Sequence, residues 1–332
     1  MSELRRDPVV GRWVVIDSEH LKGPADFPKE KRTSSQRDIC QFCPGREHFT
    51  PPEVEALRPP GSKADSSGWL VRTVPNKFPA LTGEGPVEKY AYGMFDVMSG
   101  VGAHEIVIET PDHGKQLADL SPEEMGFVLD QYVRRSRGLA ADKRYKYVSI
   151  FKNFGSSAGG SVEHAHSQII ALPMVPKSVI EELRGAKSYF ESQHRCVFCD
   201  MIEQEYLDRE RIVCENNSFL AFCPYAPRYA FEIWVIPKAH SASFTDLDSN
   251  GLKDLAAHLL DVLGRVRRVL TNPSYNFYIH TAPVDYSQPQ QYHWHIEIIP
   301  KLTRSIGFEW GTGLHIVPTF PKDAAQHLRQ SR

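Results

Sequence analysis

The sequence predicts an α+β protein made of two related halves, each an antiparallel sheet with helices packed on one side. Three observations carry this. The order C-x-x-C, strand, lone histidine, helix, strand, H-x-H occurs twice along the chain, and repetition in one fixed order marks duplicated units. The lone histidine stands 51 residues before the H-x-H in the first copy (113 to 164) and 53 residues before it in the second (240 to 293). Between these markers, short apolar runs alternate with stretches of helical periodicity. A chain of 332 residues, 41% apolar and 24% charged, can bury the core that such units need. The units expected are residues 1–177 and 195–332.

In chain order, Gly11-Arg12-Trp13-Val14-Val15-Ile16 reads as a strand and Gly23 to Gln36 as a polar, proline-containing stretch. Thr50 to Gly68 reads as loop. His104 to Glu109 reads as a strand that ends at Pro111-Asp112-His113. A helix starts at Ser121, where Ser121 supplies an N-cap, Pro122 the first helical position and Glu124 a capping box. Met125, Val128, Leu129, Tyr132 and Leu139 follow at helical spacing. Tyr147 to Phe151 and Gln168 to Leu172 read as strands around a Gly/Ser-rich loop from Gly155 to Ser161, and Val179 to Gln193 as a connecting helix. In the second copy, strands fall at Phe219–Phe222 and Phe231–Ile236. A helix presents Leu252, Leu255, Leu259, Val262 and Val266 on one face, and strands at Tyr275–Ile279 and Ile296–Ile299 complete the half. Trp294 is expected in the core.

Formal net charge is −2, which offers no field for binding nucleic acid or an anionic membrane. No run of 18 apolar residues exists. Met1-Ser2-Glu3-Leu4-Arg5-Arg6 has no apolar segment behind its charges, so neither a membrane span nor a signal peptide is expected. Four of the six cysteines form two C-x-x-C pairs. In a chain of this size without a secretion signal, that favours metal or redox use over a disulfide framework, in the reducing cytoplasm.

Zinc takes four thiolate or imidazole ligands in a tetrahedron, and a C-x-x-C turn presents two sulfurs to one ion. The natural completion in the first half is Cys40, Cys43, His113 and His164, and in the second Cys196, Cys199, His240 and His293. A lone histidine is more often structural than a ligand; the repeat is what singles out His113. Neither pair precedes the helix of a thioredoxin-like βαβ unit, which weakens a redox reading. Both sites are expected to be filled, with occupancy of one alone as the alternative. With four protein ligands and no open position, such zinc is structural.

On a strand, residues two apart share a face, so His164 and His166 project together with Gln168 next in line. A neutral imidazole is a good nucleophile near pH 7, and its attack on phosphorus gives a phosphoramidate that can pass a nucleotidyl group onward. The loop Asn153 to Ser161 is rich in small residues and can bring N–H and hydroxyl groups to phosphate oxygens. Gln168 offers an amide donor but no transferable proton, which favours transfer over hydrolysis. Taken alone, H-x-H is more often a metal site or chance.

Together these residues resemble the galactose-1-phosphate uridylyltransferase branch of the histidine-triad superfamily, over nearly the whole chain. The matching segments are Arg6 to Trp13, Cys40-Gln41-Phe42-Cys43-Pro44-Gly45, Asn76-Lys77-Phe78-Pro79-Ala80-Leu81, Asn153 through Gln168, Pro224 to Pro227, and Phe231-Glu232 through His240. The resemblance implies two fused histidine-triad-like domains, ping-pong transfer through a nucleotidyl-histidine, and a homodimer. It makes His166 the nucleophile, with Gln168 steadying the transferred phosphate. Asn153, Gly159 and Ser161 then contact the nucleotide phosphates, and Asn76 and Phe78 hold the nucleoside. The substrates implied are a nucleotide sugar and a sugar 1-phosphate, UDP-glucose and galactose 1-phosphate first. The second half keeps His295 where His166 lies but has Glu297 in place of the glutamine, so it is expected to be silent.

Some positions depart from the family. His164-Ala165-His166 stands where the Leloir-pathway enzymes usually have H-P-H, and only Lys22 remains where they place arginines. Gly307 to Gly313 and the second cysteine pair are closer to the branch that includes ADP-glucose phosphorylase. The alternative is therefore adenylyl transfer from ADP-glucose to inorganic phosphate. A hydrolase of the same superfamily predicts a third histidine where Gln168 stands, and a zinc module binding nucleic acid predicts a basic face.

Overall fold

The computed structural model describes residues 1–30 and 40–331, so the polar stretch from Gly23 to Gln36 lies partly outside the described residues. In chain order the strands are β1 (Glu3–Arg6), β2 (Trp13–Ile16), β3 (Glu55–Leu57), β4 (Val71–Pro75), β5 (Lys89–Tyr92), β6 (Phe95–Met98), β7 (Ala103–Ile108), β8 (Tyr147–Phe154) and β9 (His166–Leu172). They continue with β10 (Ile212–Glu215), β11 (Phe219–Phe222), β12 (Ile233–Pro237), β13 (Tyr275–His280), β14 (His295–Pro300) and β15 (His315–Val317). The helices are α1 (Pro122–Ala140), α2 (Lys177–Gln193), α3 (Val197–Asp208), α4 (Ser249–Val269), α5 (Gly307–Thr312) and α6 (Pro321–Gln330).

Ten of these strands form one antiparallel sheet in the order β10-β11-β12-β14-β13-β8-β9-β7-β4-β3. Read outward from the β8–β13 seam, the two halves match strand for strand: β8-β9-β7-β4-β3 on one side, β13-β14-β12-β11-β10 on the other. The repeat seen in the sequence is thus a repeat of topology. At the seam, Asn153 pairs with Asn276 and Phe151 with Tyr278.

Alternation along each strand assigns the faces. Val107, Val148, Ile150, Ile169 and Ala171 of the first half, with Phe219, Ala221, Ile233, Val235, Phe277 and Ile296 of the second, join one large apolar cluster with α1 and α4. α1 begins as its sequence demands: the Ser121 side chain accepts from the Glu124 N–H, Glu124 closes the box, and Pro122 opens the helix. Trp294 is fully buried beside Phe219 and Phe244, as expected. On the opposite face, Leu220, Phe222, Trp234 and Ile236 pack against α2 and α3. No helix among the described residues is long and apolar enough to cross a membrane.

Three local expectations change. The stretch read as loop from Thr50 to Gly68 contains β3, an edge strand of three residues, too short to show alternation. The second cysteine pair opens helix α3, with Cys196 at its N-cap and Val197, Phe198 and Ile202 on its buried face. Last, β9 begins at His166, so His164 stands just before the strand. There the opposing chain leaves the ladder: the Glu109 N–H still bonds the Ala165 carbonyl, but Thr110 is followed by Pro111, which has no N–H to offer.

Candidate functional site

The first half brings Cys40, Cys43, His113 and His164 together, their ligand atoms all within 4.8 Å of one another and all four residues buried. His164 Nδ1 lies 3.6 Å from both sulfurs, and His113 Nδ1 lies 3.4 Å from Cys43 Sγ. His164 Nε2 is 2.7 Å from the Thr110 carbonyl. A carbonyl can only accept, so Nε2 carries the proton and Nδ1 turns its lone pair to the sulfurs. Burial holds the His164 pKa down to about 4, so the ring is neutral at pH 7. The duplicated cluster gathers the same residue types, with the carbonyl bond made by the lone histidine instead. Cys199 Sγ is 3.4 Å from His240 Nδ1 and 3.7 Å from His293 Nδ1, and His240 Nε2 donates to the Pro289 carbonyl at 2.9 Å. This second cluster is more open, for Cys199 is half-buried and His240 exposed. Each Cys2His2 set could hold a metal ion.

His166 sits at the head of β9. Its Nδ1 donates to the His164 carbonyl at 2.8 Å, which leaves Nε2 as the lone-pair nitrogen. Burial lowers its pKa, and the nearby charge of Lys152 adds to the effect. Phe42, between the two cysteines, lies against both imidazoles, 6.2 Å from His164 and 5.4 Å from His166. The Cys40–Cys43 turn and the His166 ring are thus one packed unit.

Behind the strand, Lys152 Nζ donates to the His166 carbonyl at 2.9 Å and to Glu109 Oε2 at 2.7 Å. Tyr132 and Ser167 complete this buried network on Glu109 Oε1. None of these four was singled out as functional in the sequence; only the alternation of β8 could have hinted that Lys152 points inward.

A cavity of about 460 Å³ has His166 in its wall, with Lys152, Asn153, Gly155, Ser156, Ser161 and His164 among others. Gly159 lies on the same loop with φ +82°, and Gly155 has φ +81°. A Cβ on Gly155 would lie 1.9 Å from Ser274 Oγ, so only glycine lets the loop approach Ser274, just before β13, this closely. Glu30 also lines the cavity. Burial alone would raise its pKa, but hydrogen bonds from Ser156, Ser274 and Ser157 hold the carboxyl down to about 2. No sequence signal pointed to it.

Of the predicted site residues, Asn153, Ser161, His164 and His166 share the cavity wall, while Asn76, Phe78 and Gln168 are not part of it. Those three cluster around His104. Gln168 Oε1 lies 2.8 Å from His104 Nε2, and Asn76 Nδ2 lies 3.1 Å from the same nitrogen. The Phe78 N–H donates to Asn76 Oδ1 at 2.9 Å, and the Phe78 ring is exposed.

In the second half, His295 is fully buried and stacks on Trp234 at 4.5 Å and on His280 at 4.6 Å. Glu297 is ion-paired to Arg228 and, at 3.3 Å, to His280. Burial disfavours the charged ring of His280, but the carboxylates of Glu182 and Glu297 outweigh it and raise its pKa to about 10. Glu182, His280 and His295 form a third close group that the sequence reading missed. A smaller cavity of about 250 Å³ lies here, lined by Glu182, Arg228, Trp234, His280 and Glu297 among others.

A histidine with a lone-pair nitrogen, in a cavity wall shared with amides, hydroxyls and open backbone, is suited to taking a phosphorus centre, the chemistry of the nucleotidyl-transferring enzymes. The chain belongs to the galactose-1-phosphate uridylyltransferase family, whose N-terminal domain matches residues 1–176 and whose C-terminal domain matches residues 182–328. It is 37% identical to an ADP-glucose phosphorylase of Arabidopsis thaliana over 99% of this chain and 92% of that protein. It is 27% identical to a galactose-1-phosphate uridylyltransferase of Thermotoga maritima over 100% of this chain and 99% of that protein. Among solved structures, the Arabidopsis ADP-glucose phosphorylase with bound ADP-glucose superposes with a TM-score of 0.82 at 35% identity, covering 99% and 98% of the two chains.

Proposed function

We propose that this chain is a zinc-containing nucleotidyltransferase that carries a nucleoside monophosphate on His166 between a nucleotide sugar and a phosphorylated acceptor. The observation that carries the reading is the fixed tautomer of His166: Nδ1–H is spent on the His164 carbonyl, so Nε2 is the nitrogen left to react. Nε2 attacks the α-phosphorus, the N–P bond forms, and the bond to the leaving sugar phosphate breaks with its electron pair. The ring keeps its Nδ1 proton throughout, and the His164 carbonyl stabilises the charge it gains. Asn153, Gly159 and Ser161 hold the phosphates, Gln168 steadies the transferred group, and Asn76 with Phe78 holds the nucleoside. The acceptor's phosphate oxygen then attacks the same phosphorus and frees the ring.

The two Cys2His2 sets fit zinc. Bonds of about 2.3 Å to sulfur and about 2.0 Å to nitrogen at the tetrahedral angle put S and N about 3.5 Å apart. The separations here run from 3.4 to 3.7 Å. With four protein ligands, a bound ion would supply rigidity to the H-x-H segment rather than Lewis acidity.

For the substrates, uridylyl transfer from UDP-glucose to galactose 1-phosphate is supported by the family matched over both halves. Adenylyl transfer from ADP-glucose to inorganic phosphate is the second reading, favoured by 37% identity to an ADP-glucose phosphorylase against 27% to the Thermotoga uridylyltransferase. The mirrored strand order supports two histidine-triad-like units at 1–177 and 195–332. A homodimer in the cytoplasm completes the reading.

The test is to assay purified protein with UDP-glucose plus galactose 1-phosphate, and separately with ADP-glucose plus inorganic phosphate. UDP-galactose from the first pair supports the uridylyl reading, and ADP from the second supports the adenylyl one. Activity with neither pair rejects both assignments.

A further inference from the structure

His104 carries no role in the mechanism above, yet it touches Gln168 and the nucleoside-binding segment at once. It lies on β7 beside β9, where Ile106 pairs with Gln168, so His104 and Gln168 are diagonal neighbours on one face of the sheet. The Ala80 N–H donates to His104 Nδ1 at 3.2 Å. A nitrogen that accepts cannot carry the proton, so the proton sits on Nε2. Nε2–H then donates to Gln168 Oε1 at 2.8 Å, the shorter of its two contacts; Asn76 Nδ2, 3.1 Å away, is itself a donor and makes no hydrogen bond to the protonated nitrogen. An amide whose oxygen is engaged has its NH2 end free on the other side. The Asn76 N–H also donates to the His104 carbonyl at 2.8 Å, tying strand β7 to the segment that follows β4.

We propose that His104 is a positioning residue: it fixes the flip of the Gln168 amide so that NH2, not C=O, meets the transferred phosphoryl group, and couples that orientation to the seating of residues 76–80. Without it the amide can turn, and a carbonyl oxygen facing a phosphoryl oxygen is repulsive where a donor is stabilising. The inference rests on the reading that His166 is the nucleophile and deepens it. It adds a relay in which the backbone N–H of Ala80, next to the nucleoside, sets the tautomer that sets the donor.

The experiment measures single-turnover labelling of His166 by a nucleotide sugar carrying label on its α-phosphate, using the donor that labels the parent protein. The variants are His104→Phe, His104→Gln, Gln168→Ala and the double variant His104→Phe/Gln168→Ala. His104→Phe should slow labelling by about 10- to 100-fold, below or at the range seen for loss of one oxyanion donor, with the donor's half-saturation changed less than about threefold. His104→Gln, whose amide can donate to Gln168, should recover most of the rate. In the Gln168→Ala background, His104→Phe should cost less than about threefold, because the group it orients is gone. The same loss in both backgrounds, or no rescue by His104→Gln in a variant that melts like the parent, would overturn the proposal. Absence of label on the parent protein would instead reject His166 as nucleophile, a separate failure.

Discussion

Asn276 donates through Nδ2 to Asn153 Oδ1 at 2.8 Å and to the Ala158 carbonyl at 2.9 Å, so a side chain of the second half ties down two points of the loop that shares a cavity wall with His166. Asn276 is buried, and its neighbour Ser274 closes on Gly155 of the same loop. The second half therefore clamps this loop of the first.

Replacing Asn276 with Ala should raise KM for the nucleotide sugar by about tenfold and lower stability by about 1–2 kcal/mol, the effect of losing two buried hydrogen bonds with partial relaxation. Steady-state kinetics and thermal melting check both. An unchanged KM would mean that the loop holds its shape without the clamp.

The two Cys2His2 clusters differ in exposure, and metal bound to them should exchange at different rates. A chelator should remove metal in two phases, the faster from Cys196, Cys199, His240 and His293, where His240 is exposed. Cys199→Ser should remove the fast phase. Cys40→Ser should remove the slow phase and lower the melting temperature, since the first cluster is packed through Phe42 against His166. A metal count unchanged by Cys40→Ser would reject the first site.

Lys152 and Glu109 form a fully buried ion pair at 2.7 Å. Lys152→Met strips Glu109 of its counter-charge and should destabilise the protein by about 3–5 kcal/mol. The double variant Lys152→Met/Glu109→Gln should recover part of that loss, because no lone charge stays buried. Denaturant unfolding of the three proteins measures it, and equal losses in single and double variants would show that the pair is not the cause.

His258, on α4 and stacked on Phe219 at 6.2 Å, has its pKa lowered to about 4, chiefly by burial. The unfolded chain takes up this proton near pH 6.5, whereas the folded protein does so only near pH 4. Stability from this residue is therefore complete above pH 6.5 and lost as pH falls toward about 4, by about 3 kcal/mol at most. His258→Leu should flatten the fall in melting temperature across that window relative to the parent. An identical acid slope in the variant would contradict the assignment.

Much of this was legible in the sequence because it was written twice. The two clusters, the seam strands around Asn153 and Tyr275, and helix α1 with its Ser121 cap all follow from spacing, alternation and capping chemistry. The parts that escaped depend on distant or short elements. β3 has three residues and no period to read, and α3 hid behind the cysteine pair that opens it. His104 looked like one more strand residue, since its partners Ala80 and Gln168 lie 24 and 64 positions away. Glu30 needed the fold to bring Ser274, 244 positions on, to its carboxylate.

The central claim is that His166 carries the nucleotidyl group, and one labelling experiment meets it directly. Purified protein is exposed separately to UDP-glucose and ADP-glucose labelled at the α-phosphate, and protein-bound label that is acid-labile and base-stable is counted in the parent and in His166→Gly. Label from one donor, absent in a His166→Gly variant that still binds metal and melts normally, is the predicted result and names the base as well. Label that survives in His166→Gly, or turnover by a parent protein that never becomes labelled, would contradict the account.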